Sequence, residues 1–301
     1  MDEETSNTFK SGFVTMWGRP NVGKSTLLNT LVGEKVAIVS PRPQTTRNRV
    51  MGICEMEEGQ IVFLDTPGIL KKPKQKLDEY LVKSARTCLR DADVVLFVVD
   101  ATSQPHGDDR RAAKLLRPLN KNILLVINKI DIADIPNLEE RIDQFKQLGD
   151  FAGGVAVSAT ARINIKMLVD KILDLLPENP AYYPAGTVTD QQEKLSISEI
   201  IREQTLLVIR QEVPHGVAVV IDELTPRSNK LTYISATIFV EKPTHKQIIV
   251  GKKGEMLKEI GKVSRENIQK LLDTKVYLDL WVKLVKNWRK DENALRRFGY
   301  K

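Results

Sequence analysis

The chain has 301 residues, 42% hydrophobic and 28% charged, which is typical of a globular protein with room for two domains. Its net charge of +7 is uneven, because residues 1–180 hold 25 basic and 24 acidic residues while residues 242–301 hold 16 and 7. We expect no signal peptide at the polar start Met1–Glu4 and no transmembrane helix, since the longest apolar run, Val94–Val99, is far below the roughly 18 residues that cross a bilayer.

Short apolar runs alternate with amphipathic stretches over the first 180 residues. This alternation predicts an α/β domain whose mostly parallel sheet has helices on both faces. The predicted strands are Phe13–Trp17, Ile61–Leu64, Asp93–Val99, Asn122–Ile127 and Val155–Val157. The predicted helices are Lys24–Val32, Lys76–Leu89, Asp108–Leu116, Leu138–Leu148 and Ile165–Leu176. One antiparallel hairpin is expected, from Arg49–Glu55 and Gln60–Leu64 around the polar turn at Glu57–Gly59.

Three prolines, Pro177, Pro180 and Pro184, interrupt the pattern and predict a domain boundary. We therefore assign residues 1–178 to the first domain, 179–190 to a Pro-rich linker and 191–301 to a second domain. The second domain is expected to be α+β, with a final basic helix. Its other predicted elements are a helix over about 196–212, strands at 217–223, 233–241 and 275–284, and a helix that follows Gly251 and Gly254 and ends near Leu272.

A complete phosphate-binding motif, GxxxxGK[ST], joins the first predicted strand to the first predicted helix. Its residues are Gly18, Arg19, Pro20, Asn21, Val22, Gly23, Lys24 and Ser25, and Thr26 follows at the start of the helix. The backbone N–H groups of such a loop face a phosphate, and the helix N-terminus adds positive charge. Lys24 is expected to reach the β- and γ-phosphates, and the Ser25 hydroxyl is expected to ligate Mg²⁺.

Two further segments are expected to sense the γ-phosphate. Asp65-Thr66-Pro67-Gly68 follows a predicted strand, so Asp65 can hold Mg²⁺ through water and the Gly68 N–H can face the γ-phosphate. The stretch Pro41–Arg47 contains Thr45 and Thr46, and we expect Thr46 to complete the Mg²⁺ coordination, with Thr45 as the alternative. A mobile polar loop without this role is the simpler interpretation of that stretch.

The base is expected to be guanine. Asn128-Lys129-Ile130-Asp131 follows an apolar strand, and the Asp131 carboxylate can accept hydrogen bonds from guanine N1–H and its amino group. Adenine has neither donor and would leave a desolvated carboxylate unpaired. A backbone N–H at Ser158-Ala159, after the last predicted strand, suits guanine O6.

In their order and form, these motifs resemble those of the Era family of ribosome-assembly GTPases. The resemblance implies slow hydrolysis of GTP to GDP and phosphate with Mg²⁺, using Lys24, Asn21, Thr46 and Gly68 as catalytic residues. Ile69 stands where Ras-like enzymes have a water-orienting glutamine. Asn21 matches the position that helps bind an activating K⁺ in related GTPases, so K⁺ stimulation is expected; an ordinary loop residue is the alternative.

The basic end resembles a type II KH domain, in which a GxxG loop clamps about four single-stranded nucleotides. That resemblance places the single-stranded 3′ end of 16S rRNA, within the 30S subunit, near a predicted set of RNA contacts. The set is Ile248, Ile249, Val250, Gly251, Lys252, Lys253, Gly254, Met256, Lys283, Lys286, Arg289 and Lys290. Ile260 is a further candidate; Trp288 and Phe298 are expected to pack rather than to stack on bases.

Two other functions remain open at this point. A membrane-surface signalling GTPase would use the basic end to bind anionic lipid, and an RNA chaperone would use the first domain only as a scaffold. A solvated basic helix face is the simplest interpretation of the charge itself. We expect a monomer in the cytoplasm, partly peripheral at the inner face of the cell membrane. Cys54 and Cys88 are expected to be reduced, and the three histidines show no metal-ligand spacing.

Overall fold

The computed structural model describes residues 9–40, 45–68, 73–208 and 216–300, except for the side chain of Ile135. Contacts divide these residues into two units. The first unit contains residues 9–37, 46–68 and 81–190. The second contains residues 191–208 and 216–300, together with residues 38–40, 45 and 73–80 from the earlier part of the chain.

A six-stranded sheet forms the first unit, in the order β2-β3-β1-β4-β5-β6. Its strands are β1 (Lys10–Trp17), β2 (Val50–Met56), β3 (Gly59–Asp65), β4 (Val94–Asp100), β5 (Asn122–Asn128) and β6 (Gly153–Ala156). β2 and β3 form the predicted antiparallel hairpin, and every other neighbouring pair is parallel. The mostly parallel α/β sheet predicted from the sequence is confirmed.

Apolar side chains on both faces of the sheet explain why helices cover both. All seven residues of β4 are buried, as are all seven of β3. One face packs on residues of α1 and α5, and the other packs on residues of α2, α3 and α4. The helices are α1 (Lys24–Val32), α2 (Lys76–Asp91), α3 (Gly107–Leu116), α4 (Leu138–Lys146) and α5 (Ile165–Leu175).

The Pro-rich stretch predicted as a linker lies along the first unit. The Ile53 N–H donates to the Val188 carbonyl at 2.8 Å, so the chain continues the edge at β2. The Gln60 side chain accepts from the N–H groups of Tyr182 and Tyr183 at 2.9 and 3.0 Å. The Ser11 hydroxyl donates to the Pro180 carbonyl at 2.6 Å. Residues 179–190 therefore form a strap on the first unit, because buried polar groups of the sheet satisfy the strap's backbone.

The second unit has a three-stranded sheet, β7-β8-β9, with β7 and β8 antiparallel and β8 and β9 parallel. Its elements are α6 (Glu193–Val208), β7 (Ala218–Ser228), β8 (Leu231–Val240), α7 (Pro243–Val250), α8 (Glu255–Leu272), β9 (Lys275–Leu284) and α9 (Glu292–Arg297). Residues of α6 and α8 and of all three strands share one core, which includes Ile201, Ile234 and Ile268. The predicted end of the first of these helices, at Glu212, lies outside the described residues.

Within the described ranges, no helix combines the length and apolarity needed to cross a bilayer. No group of three or more His, Cys, Asp and Glu residues is placed to hold a metal ion in that part of the chain. Cys88 is buried, and burial raises the pKa of its thiol to about 11, which favours the protonated thiol near neutral pH.

Candidate functional site

The phosphate-binding loop connects β1 to α1 in the predicted position. Gly23 caps α1 with a φ of 98°, and a Cβ there would lie 2.3 Å from Asn128 Nδ2. Only glycine fits this close approach. The first turn of α1 has no acidic residue and no side-chain cap, so its backbone N–H groups and its positive end are available to an anion.

Lys24 is the charged group of this loop. Its ammonium is buried and donates to the carbonyls of Gly18 at 3.1 Å and Arg19 at 2.9 Å. Burial, opposed by the Asp65 carboxylate and assisted by Arg19, lowers the pKa of Lys24 to about 8. A phosphate would replace two neutral carbonyl partners with an anion, which favours the charged lysine.

Ser25, Thr46 and Asp65 lie together next to the loop. Asp65 Oδ2 accepts from the Ser25 hydroxyl at 2.7 Å and from the Thr46 hydroxyl at 3.1 Å, and the two hydroxyls are 3.0 Å apart. Among the described residues, Asp65 Oδ1 is buried without a hydrogen-bond partner, and burial raises the pKa of the carboxyl. Two hydroxyls and an unsatisfied carboxylate oxygen are the hard oxygen ligands that Mg²⁺ takes, so the three residues fit this ion.

The structure distinguishes the two threonines proposed as Mg²⁺ ligands. The Thr45 hydroxyl donates to the Ser40 carbonyl at 3.5 Å. The Thr46 hydroxyl is the one that reaches the cluster. This geometry favours Thr46, and its role as a metal ligand stays a prediction. Pro41–Gln44, the first four residues of that predicted stretch, and Ile69 lie outside the described residues.

Gly68 lies against the phosphate-binding loop. A Cβ at Gly68 would be 3.0–3.2 Å from the ring and backbone of Pro20, so a side chain there would crowd the phosphate-binding loop. The Thr66 hydroxyl donates to the Met16 carbonyl at 2.8 Å and ties this segment to β1. The structure therefore brings Gly68 beside the loop, where its N–H can face a γ-phosphate.

Asn128 braces two loops of the site. Its side chain donates to the Val22 carbonyl at 2.9 Å and accepts from the Ala159 N–H at 3.1 Å. Ala159 in turn accepts at its carbonyl from the Thr30 hydroxyl of α1 at 2.9 Å. Asn128 is thus a positioning residue between the phosphate loop and the predicted base loop, because its amide both donates and accepts.

Asp131 lies in the short 3₁₀ turn Ile130–Ile132 after β5, and Lys129 is the N-cap of that turn. Lys129 has a φ of 71° and donates to the Asn21 carbonyl at 2.8 Å and to Asp100 Oδ2 at 2.7 Å. Asp131 is exposed, so its carboxylate is free to meet a base. Ser158 is buried and its hydroxyl accepts from the Ala161 N–H at 2.9 Å, which shapes the turn rather than contacting a base.

Two carboxylates that hold the phosphate-binding loop, Asp100 and Asp109, were not singled out from the sequence. Arg19 donates to Asp109 at 3.2 Å and lies 3.8 Å from Asp100. Burial alone would raise the pKa of Asp100, but hydrogen bonds from Lys129 and Thr102 outweigh burial and lower this pKa. Asp100 ends an apolar strand at the same sheet edge as Asn128, and this position is the feature from which its role could have been predicted.

The GxxG loop of the second unit lies between α7 and α8. Gly251 has a φ of 71°, and a Cβ there would lie 2.6 Å from the Cβ of Met256. Lys252 and Lys253 are exposed at the tip, and Gly254 caps α8. A groove of about 430 Å³ opens beside the loop. Its lining residues are Pro243, Lys246, Gln247, Val250, Gly251 and Leu284.

The apolar RNA contacts predicted from the sequence are only partly available. Ile248 is 44% exposed, but Ile249 and Ile260 are fully buried in the core, so predicting base contacts for them was wrong. Each isoleucine lies on the face of its own helix, α7 or α8, that packs on the sheet. Met256 packs against the same core and is partly exposed.

The predicted basic contacts of the C-terminal segment differ in their availability. Lys283, Lys286 and Lys290 are exposed. Arg289 instead pairs with Glu241 through two nitrogens, at 2.8 and 2.5 Å, so it holds the fold. Trp288 is buried and donates to the Gly216 carbonyl at 3.0 Å, and Phe298 packs on Phe239, which is the packing role expected for both aromatics.

Family models match both units. Residues 13–129 match the model described as 50S ribosome-binding GTPase, and residues 212–289 match the KH domain. Among curated proteins, the chain is 48% identical over 294 residues to GTPase Era of Halothermothrix orenii, covering 98% of this chain and 99% of that protein. It is 49% identical to GTPase Era of Alkaliphilus oremlandii, covering 97% and 99%.

Two solved structures share the fold over nearly the whole chain. One is a crystal structure of Era in complex with MgGDPNP and nucleotides 1506–1542 of 16S ribosomal RNA, with a TM-score of 0.94 and 41% identity. The other is a single-residue variant of Aquifex aeolicus Era bound to GDP·AlF4⁻, with a TM-score of 0.93 and 42% identity. Both alignments cover 97% of this chain and 99% of the matched chain.

Proposed function

The chain belongs to the GTPase Era family, and from that premise we propose that it assists maturation of the small ribosomal subunit by binding the single-stranded 3′ end of 16S rRNA. It hydrolyses GTP, and its second unit is an RNA-binding KH domain. The proposed RNA partner is supported by the relative that was solved with nucleotides 1506–1542 of 16S rRNA. That structure is similar over 97% of this chain. The comparisons give the membrane-surface alternative no support.

In this proposal, the first unit selects and holds the nucleotide. Asp131 accepts from the guanine edge, whereas the Ala159 N–H, which was expected to face O6, already donates to Asn128 and instead fixes the loop at Ser158-Ala159. Gly23 and the N-terminus of α1 place backbone N–H groups around the β-phosphate. The fixed loop orients the phosphates before reaction, so that little reorganisation remains to be done at the transition state.

Lys24, Ser25, Thr46 and Asp65 act at the γ-phosphate. Lys24 leaves its carbonyl partners and neutralises phosphate charge, while the Gly68 N–H faces the γ-phosphate. Ser25, Thr46 and Asp65 would hold Mg²⁺, with Asp65 acting through water. When bound, that ion neutralises charge on the β- and γ-phosphate oxygens. Thr46 would ligate Mg²⁺ only while the γ-phosphate is present, so loss of that phosphate would remove this ligand.

K⁺ stimulation is a further part of the proposal. Asn21 is exposed in the phosphate-binding loop with a φ of 66°, and Lys129 holds its carbonyl. This placement leaves the Asn21 side chain at the surface of the site, where a cation beside the phosphates would be bound. Hydrolysis rates that are equal in KCl and NaCl at matched ionic strength would remove this part and leave the rest intact.

The second unit grips RNA through the GxxG loop and the groove beside it. Gly251 lets a phosphate approach the backbone, and Lys252 and Lys253 neutralise phosphate charge. Ile248 and the apolar lining of the groove, Val250 and Leu284, face the bases. The GTP-bound state favours RNA binding, and hydrolysis favours RNA release. Because such coupling is reciprocal, bound RNA should also change the affinity for GTP.

RNA crosslinking of the GTP-bound protein, followed by sequencing, tests the RNA partner. We expect fragments from the 3′ end of 16S rRNA and their loss in Gly251→Asp, which adds a charge and a side chain where only glycine fits. Lys230→Ala, an exposed lysine in the β7–β8 turn, is the control that should crosslink normally. Fragments spread evenly over rRNA and mRNA, unchanged in Gly251→Asp, would contradict the proposal.

Cellular placement and assembly complete the proposal. We propose a monomer in the cytoplasm that joins the 30S subunit, with peripheral contact between its basic end and the inner face of the cell membrane. Gradient sedimentation with 30S subunits tests the association, and fractionation of cells tests the location. Liposome flotation with anionic vesicles tests the membrane contact separately from RNA binding.

A further inference from the structure

Helix α6 contains charged side chains that are buried inside the second unit. Arg202 is 1% exposed and Glu203 is 2% exposed. Burying charge is costly unless each group is paired and hydrogen-bonded. The hydrogen-bond partners of Arg202 and Glu203 therefore offset the cost of burying their charges.

Both side chains bind the backbone of residues that precede Thr46. Glu203 Oε1 accepts from the Val39 N–H at 2.8 Å. Arg202 donates to Glu199 Oε1 at 2.9 Å and to the carbonyl of Thr45. Glu199 is the main cause that raises the pKa of Arg202 against its burial, so the guanidinium stays charged. Val39, Thr45 and α6 all belong to the second unit.

The Thr45 carbonyl belongs to the peptide bond that joins Thr45 to Thr46. A peptide unit is planar, so a hydrogen bond that fixes this carbonyl also fixes the N–Cα bond of the next residue. The next residue is Thr46, whose hydroxyl reaches Asp65 Oδ2. The Arg202 guanidinium thus holds the plane from which the proposed Mg²⁺ ligand extends.

We infer that Arg202 and Glu203 are positioning residues for GTP hydrolysis, acting through the backbone of Val39 and Thr45 on Thr46. The inference rests on the proposed role of Thr46. The two side chains act on the hydrolytic step and not on GDP binding, because the phosphate loop and Asp131 bind GDP without Thr46.

The experiment measures single-turnover hydrolysis, GDP affinity and the Mg²⁺ concentration that gives half the maximal rate, all in the full-length chain. We expect Arg202→Ala and Glu203→Ala to slow hydrolysis by about tenfold, as the loss of one charge-assisted hydrogen bond predicts. GDP affinity should stay within about twofold, and the half-saturating Mg²⁺ concentration should rise. Glu203→Gln, whose amide oxygen still accepts from Val39, should restore the rate.

Two exposed residues of α8 serve as matched controls, Arg265→Ala and Glu259→Gln, and both should behave like the wild type. Rates in the Arg202 and Glu203 variants that equal the wild-type rate would overturn the inference. It would also be overturned if rate and GDP-binding capacity fell together with the folded fraction, while the Mg²⁺ dependence stayed unchanged. Wild-type protein that hydrolyses GTP but binds no 16S rRNA would contradict the proposed function and leave this inference standing.

Discussion

The phosphate loop of the first unit and the GxxG loop of the second are both glycine-rich loops that precede a helix, yet they present positive charge in opposite ways. The first encloses one buried lysine and relies on backbone N–H groups, within a stretch of nearly balanced charge. The second presents exposed lysines in a stretch with nine more basic than acidic residues. An enclosed site gains from a low dielectric, whereas an open one depends on the number of charges.

Lys24→Ala should have the largest effect, because the enclosed site has one lysine to lose. We expect GTP affinity to fall by about 2–4 kcal/mol, or roughly 30- to 1,000-fold, the cost of removing one partner from a desolvated charge pair. Titration with a fluorescent GTP analogue measures the loss, with RNA binding in the absence of nucleotide as the control. A fall in GTP affinity of less than threefold would contradict the conclusion that the first loop depends on a single buried lysine.

Arg289→Ala tests whether every basic residue of the second unit serves RNA. Its guanidinium pairs with Glu241, which is 9% exposed, so we expect the free energy of unfolding to fall by about 1–3 kcal/mol. Lys286→Ala removes an exposed charge and should leave stability unchanged. Urea denaturation measures both variants, and equal stabilities would mean that the Glu241 pair contributes nothing.

Salt should separate the two loops. With about three phosphates neutralised in single-stranded RNA, a fourfold rise in salt lowers RNA affinity by about twentyfold. Lys252→Ala/Lys253→Ala should reduce the slope, and GDP affinity should change far less, because the buried lysine is poorly screened. Equal salt slopes for RNA and GDP would show that the two loops bind phosphate by the same means.

The smallest expected effect is the pH dependence of nucleotide binding. Lys24 in the free site has a pKa of about 8, and bound phosphate favours its charged form. GDP affinity should therefore fall about fourfold between pH 7 and about 8.5, and Lys24→Arg, which does not titrate there, should show a flat profile. A rise in affinity with pH would contradict the assignment.

The same pKa shift has a consequence for the nucleotide-free protein. The pKa of Lys24 in the folded chain lies below the unfolded value of 10.5, so the unfolded chain keeps its proton to higher pH. The cost of burying the charged lysine is present below about pH 8 and is relieved as the pH rises toward 10.5. Thermal denaturation without nucleotide should show this gain in wild type and not in Lys24→Met.

Local features of the sequence were sufficient to predict the helices and strands of the first unit and to identify a nucleotide-binding site. The phosphate loop, the helix Lys24–Val32 and the hairpin of β2 and β3 depend on residues close together in the chain, where glycine positions and apolar periodicity decide the backbone. The order of the motifs was also sufficient to indicate a guanine nucleotide. A binding motif made of consecutive residues can be recognised from the sequence, because its geometry does not depend on distant parts of the chain.

The tertiary structure decided which side chains are available and what they hold. Ile249 faces the core, Arg289 is paired with Glu241, and Asn128 braces two loops, none of which spacing alone predicts. Residues 179–190 pack on the first unit instead of linking freely. These outcomes depend on partners that are distant in sequence, since a buried polar group takes whichever partner the fold brings near and a helix face is buried only by what packs on it.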